Sequence, residues 1–125
     1  MKIQLDNWKV KNLSFSAISD EKREDNAFSL NTGNFYPEDE LKKFGIIFNI
    51  EIKDKRFDLN IEAVFIFSLD NEITEDFKVS DFPKINAPAI AFPYLRAYIS
   101  NLTLQSGFQP IILPSINFVA LAKEK

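Results

Sequence analysis

Two alternating runs separated by a short polar turn, Phe44 to Lys53 and Phe57 to Leu69, constrain this chain more than any other feature. A strand points successive side chains to opposite faces, so a period of two is the signature of a half-buried strand. The first run sets Ile46, Phe48, Ile50 and Ile52 on one face and Asn49, Glu51 and Lys53 on the other. The second sets Phe57, Leu59, Ile61, Ala63, Phe65, Phe67 and Leu69 together. Asp54 and Lys55 between them predict a tight turn, which makes the pair a hairpin with one apolar face to bury. The second run's other face changes character: Asp58, Asn60 and Glu62 are polar, whereas Val64 and Ile66 are not. Its second half is therefore expected to be covered on both sides, by a helix or a second subunit.

Upstream, Leu13, Phe15 and Ala17 alternate with Ser14 and Ser16 and predict a strand over Lys11 to Ala17. Trp8 and Val10 have the opposite parity, which a bulge or bend between Val10 and Leu13 would reconcile. Ser19 to Asn26 reads as a charged, solvated loop, and Phe28 to Leu30 as a short edge strand leading into a mobile crossover interrupted by Gly33 and Pro37. Glu38, Asp39 and Glu40 read as a solvated turn, and could form a first helical turn after Pro37. The acid-rich stretch Asp70 to Asp76 lacks the ligand spacing and turn glycine of a calcium loop and reads as a solvated turn.

The last third is helical. Asn86, Ala87 and Pro88 predict a helix start, and Gly107 its end. Between them Ile90, Ala91, Tyr94, Leu95, Tyr98, Ile99 and Leu102 form a wide apolar face against a narrow stripe of Arg96, Ser100 and Thr103, as expected of a helix buried on more than one side. Pro93 interrupts the hydrogen-bond ladder, an expense of about 3 kcal/mol or more unless the bend is used, so a kink is expected. The run FQPIILPS after Gly107 is too proline-rich for a central strand and too aliphatic for an exposed loop. Ser115 is positioned to cap a final helix whose Phe118, Leu121 and Ala122 make one apolar edge, too short to stand without packing.

With 125 residues, 46% hydrophobic and 26% charged, the chain reads as one domain, residues 1–125, of α+β class: four strands followed by a long helix and a short one. Thirteen Phe are more than a core of this size needs, so some are expected at an interface. The chain has no Cys and no His. Disulfides, thiolate nucleophiles, imidazole bases and the usual zinc ligands are excluded together, and no catalytic residue, metal or cofactor is predicted. A net charge of −3 with scattered Lys and Arg leaves no footprint for nucleic acid. No cationic leader and no long uncharged span is visible, and a cytoplasmic protein without membrane insertion is expected.

The segment FPYLRAYISNL from Phe92 to Leu102, followed by GFQPIILPSINFVAL from Gly107 to Leu121, resembles the SecB export-chaperone family. There, an "LFPYAR…I" helix precedes a "GTFP…L.PVNF.ALF" tail. The positions that carry the resemblance are Phe92, Pro93, Tyr94, Arg96 and Ile99 in the helix, and Gly107, Phe108, Leu113, Pro114, Asn117, Phe118, Ala120 and Leu121 beyond it. Weaker echoes occur at KNLSFSA and FDLNIEAVFIFSL.

The resemblance implies a four-stranded antiparallel sheet with a long Pro-kinked helix and a short C-terminal helix, assembled as a homotetramer, a dimer of dimers. It implies grooves for unfolded or nascent polypeptides. Candidate groove residues are Phe28, Leu30, Phe35, Ile111, Leu113, Phe118 and Leu121; candidate interface residues are Ile90, Tyr94, Leu95, Tyr98, Ile99 and Leu102. It also brings in the SecA motor as a partner. Family members that deliver to SecA carry acids on the first and third strands, where this chain has Asn12, Ser16 and Asn60, and the acidic tail is replaced by Lys123-Glu124-Lys125. A SecB-like chaperone of a toxin–antitoxin pair therefore stands beside the export role. Rivals from other classes are an oligomeric adaptor, a carrier of apolar ligands, and a hotdog-type thioester enzyme. The enzyme would need a placed acid such as Glu51 or Glu62, and both fall on the polar strand face.

Overall fold

Each antiparallel pairing follows from the alternation. In the computed structural model, which describes residues 2–25 and 27–123, β1 (Ile3–Ala17), β2 (Ala27–Phe35), β3 (Lys43–Lys53) and β4 (Phe57–Leu69) form one antiparallel sheet in the order β1-β4-β3-β2. The chain divides into two compact units, Met1–Ile73 and Thr74–Lys125.

In the first unit the register aligns the apolar residues in rows. Leu30, Ile50, Ile61 and Leu13 face one another across the four strands, as do Phe28, Ile52, Leu59 and Phe15. The middle strands supply a fully buried layer, with Phe44, Phe48, Ile52, Phe57, Leu59, Ala63 and Phe65 all at 0% exposure. Each large member of such a layer contributes about 1.5–3 kcal/mol by leaving water. Aromatic rings tie neighbouring strands together: Trp8 stacks on Phe65 at 4.9 Å, Phe15 on Phe57 at 5.3 Å and Phe44 on Phe67 at 5.2 Å.

The parity problem in β1 is solved by bulges. The register shifts between Val10 and Asn12, and again between Leu5 and Asn7, leaving Lys11 and Asp6 out of the pairing. The two extra residues keep Leu5, Trp8, Val10 and Leu13 on one face, opposite Phe67, Phe65, Ala63 and Ile61. At the β3–β4 turn the fully buried Asp54 carboxylate accepts from the Arg56 N–H at 3.0 Å and from Arg56 Nε at 2.9 Å. That hydrogen bond, ahead of any other influence, raises the Arg56 pKa. The charged loop before β2 is anchored too, because Arg23 reaches Asp58 at 2.5 Å and the Asp54 carbonyl at 3.3 Å. Asn26 lies outside the described residues.

Three local expectations are corrected. β2 runs on to Phe35, because Asn31 to Phe35 pair in register with Asn49 to Gly45 where a mobile crossover was expected. The acidic stretch ends in a one-turn helix, α1 (Glu75–Lys78), capped by Thr74, whose hydroxyl accepts from the Phe77 N–H at 3.1 Å. The long helix α2 (Ala87–Gln105) is not capped by Asn86, because a π-helical turn over Phe82–Asn86 runs into it with Asn86 already in helical geometry. Pro83 and Pro88 supply the fixed φ of that entry.

In the second unit α2 ends as expected. Gly107 sits at φ 94, and the Gly107 and Phe108 N–H groups return to Leu104 and Thr103 carbonyls at 3.1 and 3.0 Å. This is the Schellman closure, which needs a residue without a Cβ penalty at the left-handed position. Pro93 and Ala89, whose carbonyl it leaves without a helical donor, are both exposed, so the gap in the ladder faces water. The final helix α3 (Phe118–Lys123) is capped by Asn117, whose Oδ1 accepts from the Ala120 N–H at 3.1 Å, and not by Ser115.

Candidate functional site

A surface that binds other chains must be built from apolar groups or backbone edges left over after the core is filled. The first is β2. Its sequence AFSLNTGNF has no charge, no proline and no bulge along its pairing with β3, and it sits at the sheet's edge. The opposite edge, β1, is protected by two bulges and by Asp6, Lys9 and Lys11. Edge strands lacking such devices are templates for an added strand. Phe28 and Leu30 lie half-buried on the apolar face of this edge, across from Ile52 and Ile50.

The sheet's second face holds two clefts. One of about 540 Å³ is lined by amides and hydroxyls, Asn12, Ser14, Ser29, Asn31, Asn49 and Asn60, with Glu51 and Glu62. Asn12 Nδ2 donates to Glu62 Oε1 at 2.5 Å. The other, about 460 Å³, is lined by Phe35, Ile47, Val64 and Ile66 together with Asn7, Lys9 and Lys11. Phe35 thus lies on the opposite face from Phe28 and Leu30, because its partner in the register is Gly45. Its ring covers Gly45 so closely that a Cβ there would overlap it. Gly45→Ala should therefore displace Phe35 and cost about 1–3 kcal/mol, with Gly33→Ala, which meets open space, as the near-neutral control in urea denaturation.

The second unit exposes a different surface. Along α2 the buried stripe is Ala87, Pro88, Ala91, Phe92, Leu95, Ile99 and Thr103. Ile90 and Tyr94, at 45% and 52% exposure, lie on the other side, with Tyr98 one turn on and half-buried. Leu95 and Ile99, expected at an interface, are fully buried within the chain. Thr103, expected on a polar stripe, is buried: its hydroxyl turns to the Ile99 and Ser100 carbonyls at 3.1 and 2.9 Å and accepts from the Ile111 N–H at 2.9 Å.

That last bond pins the proline-rich segment to α2. Ile111 and Leu113, expected in a groove, are 2% and 0% exposed, whereas Ile112 between them is 70% exposed. Phe118 is also interior, at 5%, with its ring edge-on to Phe92 at 5.8 Å, and Leu121 is half-buried. Ile111, Ile112 and Leu113 are all aliphatic, so the residues themselves carry no signal that separates the buried pair from the exposed one. Thr103→Val preserves shape but strips the Ile111 N–H of its acceptor, and should destabilise by about 1–3 kcal/mol. Faster hydrogen exchange at the Ile111 amide, restored in Thr103→Ser, checks the assignment.

Among the described residues no cluster of acidic side chains could hold a metal ion, and no helix is long and apolar enough to cross a membrane. Compared with known proteins, the whole chain, residues 1–125, matches the family described as preprotein translocase subunit SecB. It is 31% identical to an uncharacterized protein of Methanocaldococcus jannaschii over 129 aligned residues, covering 95% of this chain and 81% of that one. It is 33% identical to the protein-export protein SecB of Rickettsia massiliae over 100 residues, covering 80% of this chain and 62% of the relative. The alignment thus spans less than two thirds of that relative's length. The fold is shared with a Mycobacterium tuberculosis SecB-like chaperone, solved in complex with a ChAD peptide from the HigA1 antitoxin. The TM-score is 0.67 at 14% identity, covering 91% of this chain and 87% of the other.

Proposed function

The chain belongs to the SecB family, and from that premise we propose that it is a molecular chaperone that holds unfolded or nascent polypeptides, with a homotetramer as its working form. The observation that carries the reading is the uncharged, bulge-free β2 edge with Phe28 and Leu30 on its apolar face. An extended client pairs its backbone with such an edge and sets alternate side chains against the apolar face. Each apolar client side chain contributes about 1.5–3 kcal/mol, so several together outweigh the ordering of the segment without any chemistry or cofactor. In the second unit Leu121 is half-buried and stays a candidate for client contact by itself, whereas Ile111, Leu113 and Phe118 are interior. Phe35 belongs to the other face and is left out of this groove.

Tetramer assembly is supported by the exposed run Ile90 and Tyr94 with Tyr98, spaced one turn apart on α2, and by half-buried Leu102. A client-dedicated role has an observation of its own. Asn12, Ser16 and Asn60 leave the second sheet face without the acids that the SecA-delivering relatives carry, and the structural neighbour holds an antitoxin peptide. Guarding an antitoxin as its client, within a toxin–antitoxin system, is therefore the second reading beside export.

Light scattering of several unrelated unfolded proteins tests the proposal. Aggregation should be suppressed at near-stoichiometric tetramer, and Phe28→Ser with Leu30→Ser should weaken holding without changing the assembly. A chain that suppresses none of them is not a chaperone of this kind.

A further inference from the structure

We propose that the apolar cleft on the sheet's second face is a docking site for an acidic peptide segment that also carries apolar side chains, separate from the client edge. The floor is Phe35, Ile47, Val64 and Ile66, contributed by β2, β3 and β4, and Lys9 and Lys11 of β1 close one end. Apolar side chains here break the rule that a sheet's outward face is polar, and the neighbouring half of the same face, with Glu51 and Glu62, obeys it. The cleft crosses all four strands, about 14 Å at the usual strand spacing, which is the reach of roughly four extended residues.

Charge decides the occupant. Lys9 and Lys11 are the charged residues lining the cleft, and neither makes an ion pair among the described residues. Lys9 stands directly across from Val64 in the register, and Lys11 is the residue that the bulge leaves unpaired. The bulge turns a backbone irregularity into a second cation at the cleft. Of the acids on and beside this face, Asp6, the other residue that the bulges leave unpaired, accepts from the Ser68 hydroxyl at 2.9 Å, and Glu62 is engaged by Asn12 in the adjoining cleft. A partner that sets apolar side chains over Ile47 and Val64 and carboxylates at the β1 end meets complementary surface at both points, whereas a basic segment meets repulsion.

Fluorescence anisotropy on the full chain tests this with a fluorescein-labelled synthetic peptide carrying a Leu-Phe pair followed by a Glu-Glu pair, beside versions with Gln-Gln or Lys-Lys in the acidic positions. The Glu form should bind about tenfold more tightly than the Gln form, and the gap should narrow with added salt. Lys9→Glu with Lys11→Glu should invert the order, so that the Lys form binds best, and should leave client holding unchanged. If that chain does not fold, Lys9→Gln with Lys11→Gln must abolish the preference. Equal binding of the three peptides, or a preference untouched by these substitutions, overturns the proposal. So does dodecanoate binding that outcompetes the peptide, which would assign the cleft to amphipathic anions. Loss of client holding in the charge-reversed chain overturns it as well, because the cleft would then be part of the client groove. A wild-type chain that selects the acidic peptide but holds no client supports this site and refutes the chaperone reading.

Discussion

Replacing Phe65 with alanine should remove about 4 kcal/mol of folding stability, the largest loss expected from a single side chain in the first unit. Phe65 is at 0% exposure on β4, one of the two inner strands, with Trp8 stacked on it at 4.9 Å and an interplanar angle of 4°, and with the Phe48 ring edge-on at 5.5 Å. Its neighbours in the register come from both sides, Trp8 on β1 and Ile46 on β3, so truncation opens a cavity bounded by hydrogen-bonded strands that cannot collapse into it. For a chain of this size the loss corresponds to roughly 10–20 °C in the unfolding midpoint. Trp8 is the chain's single tryptophan, so its fluorescence reports both the unfolding transition and the loss of the stacked ring. Leu13→Ala, at a position 44% exposed on the same face, should cost far less. Equal losses at the two positions would mean that burial in the isolated chain does not describe the core.

How far the residues foretell this fold depends on whether one physical signal acts alone. From Phe57 to Leu69 alternation, β-propensity and a polar turn agree, and the strand begins and ends as read. The bulge near Val10 was legible because Trp8 and Leu13 cannot share a face without an extra residue. β2 was read short because Asn31, Thr32, Gly33 and Asn34 have little intrinsic preference for strands, and their pairing with β3 is supplied by the register of a neighbour distant in sequence. Asn86 has the chemistry of a cap, but the preceding Phe82–Asn86 turn already provides helical geometry. Ile111 and Leu113 illustrate the limit for site residues. Apolar side chains in a proline-rich loop signal that something covers them; only the Thr103 bond to the Ile111 N–H identifies that cover as the chain's own interior.

Replacing Ile90 and Tyr94 together with glutamate should dissociate the assembly while leaving the chain folded. Both residues are accessible in the single chain, at 45% and 52%, so neither substitution forces a charge into its core, and circular dichroism should be unchanged. In a tetramer held through α2 the same two positions are dry. Each carboxylate would then be buried without a partner, at an expense of several kcal/mol, and a two-fold interface repeats it on both sides. Three kcal/mol per site already weakens association more than a hundredfold. Size-exclusion chromatography with light scattering should find a monomer or dimer at micromolar concentration. Client holding should fall with it if several edges must act on one extended chain, since linked weak sites lose avidity when separated. Leu104→Glu, at 54% exposure near the other end of α2, asks whether the interface runs the helix's full length or is confined to the turns around Tyr94. An unchanged elution volume for the double variant would remove α2 from the interface and leave the sheet edges as the surfaces through which copies meet.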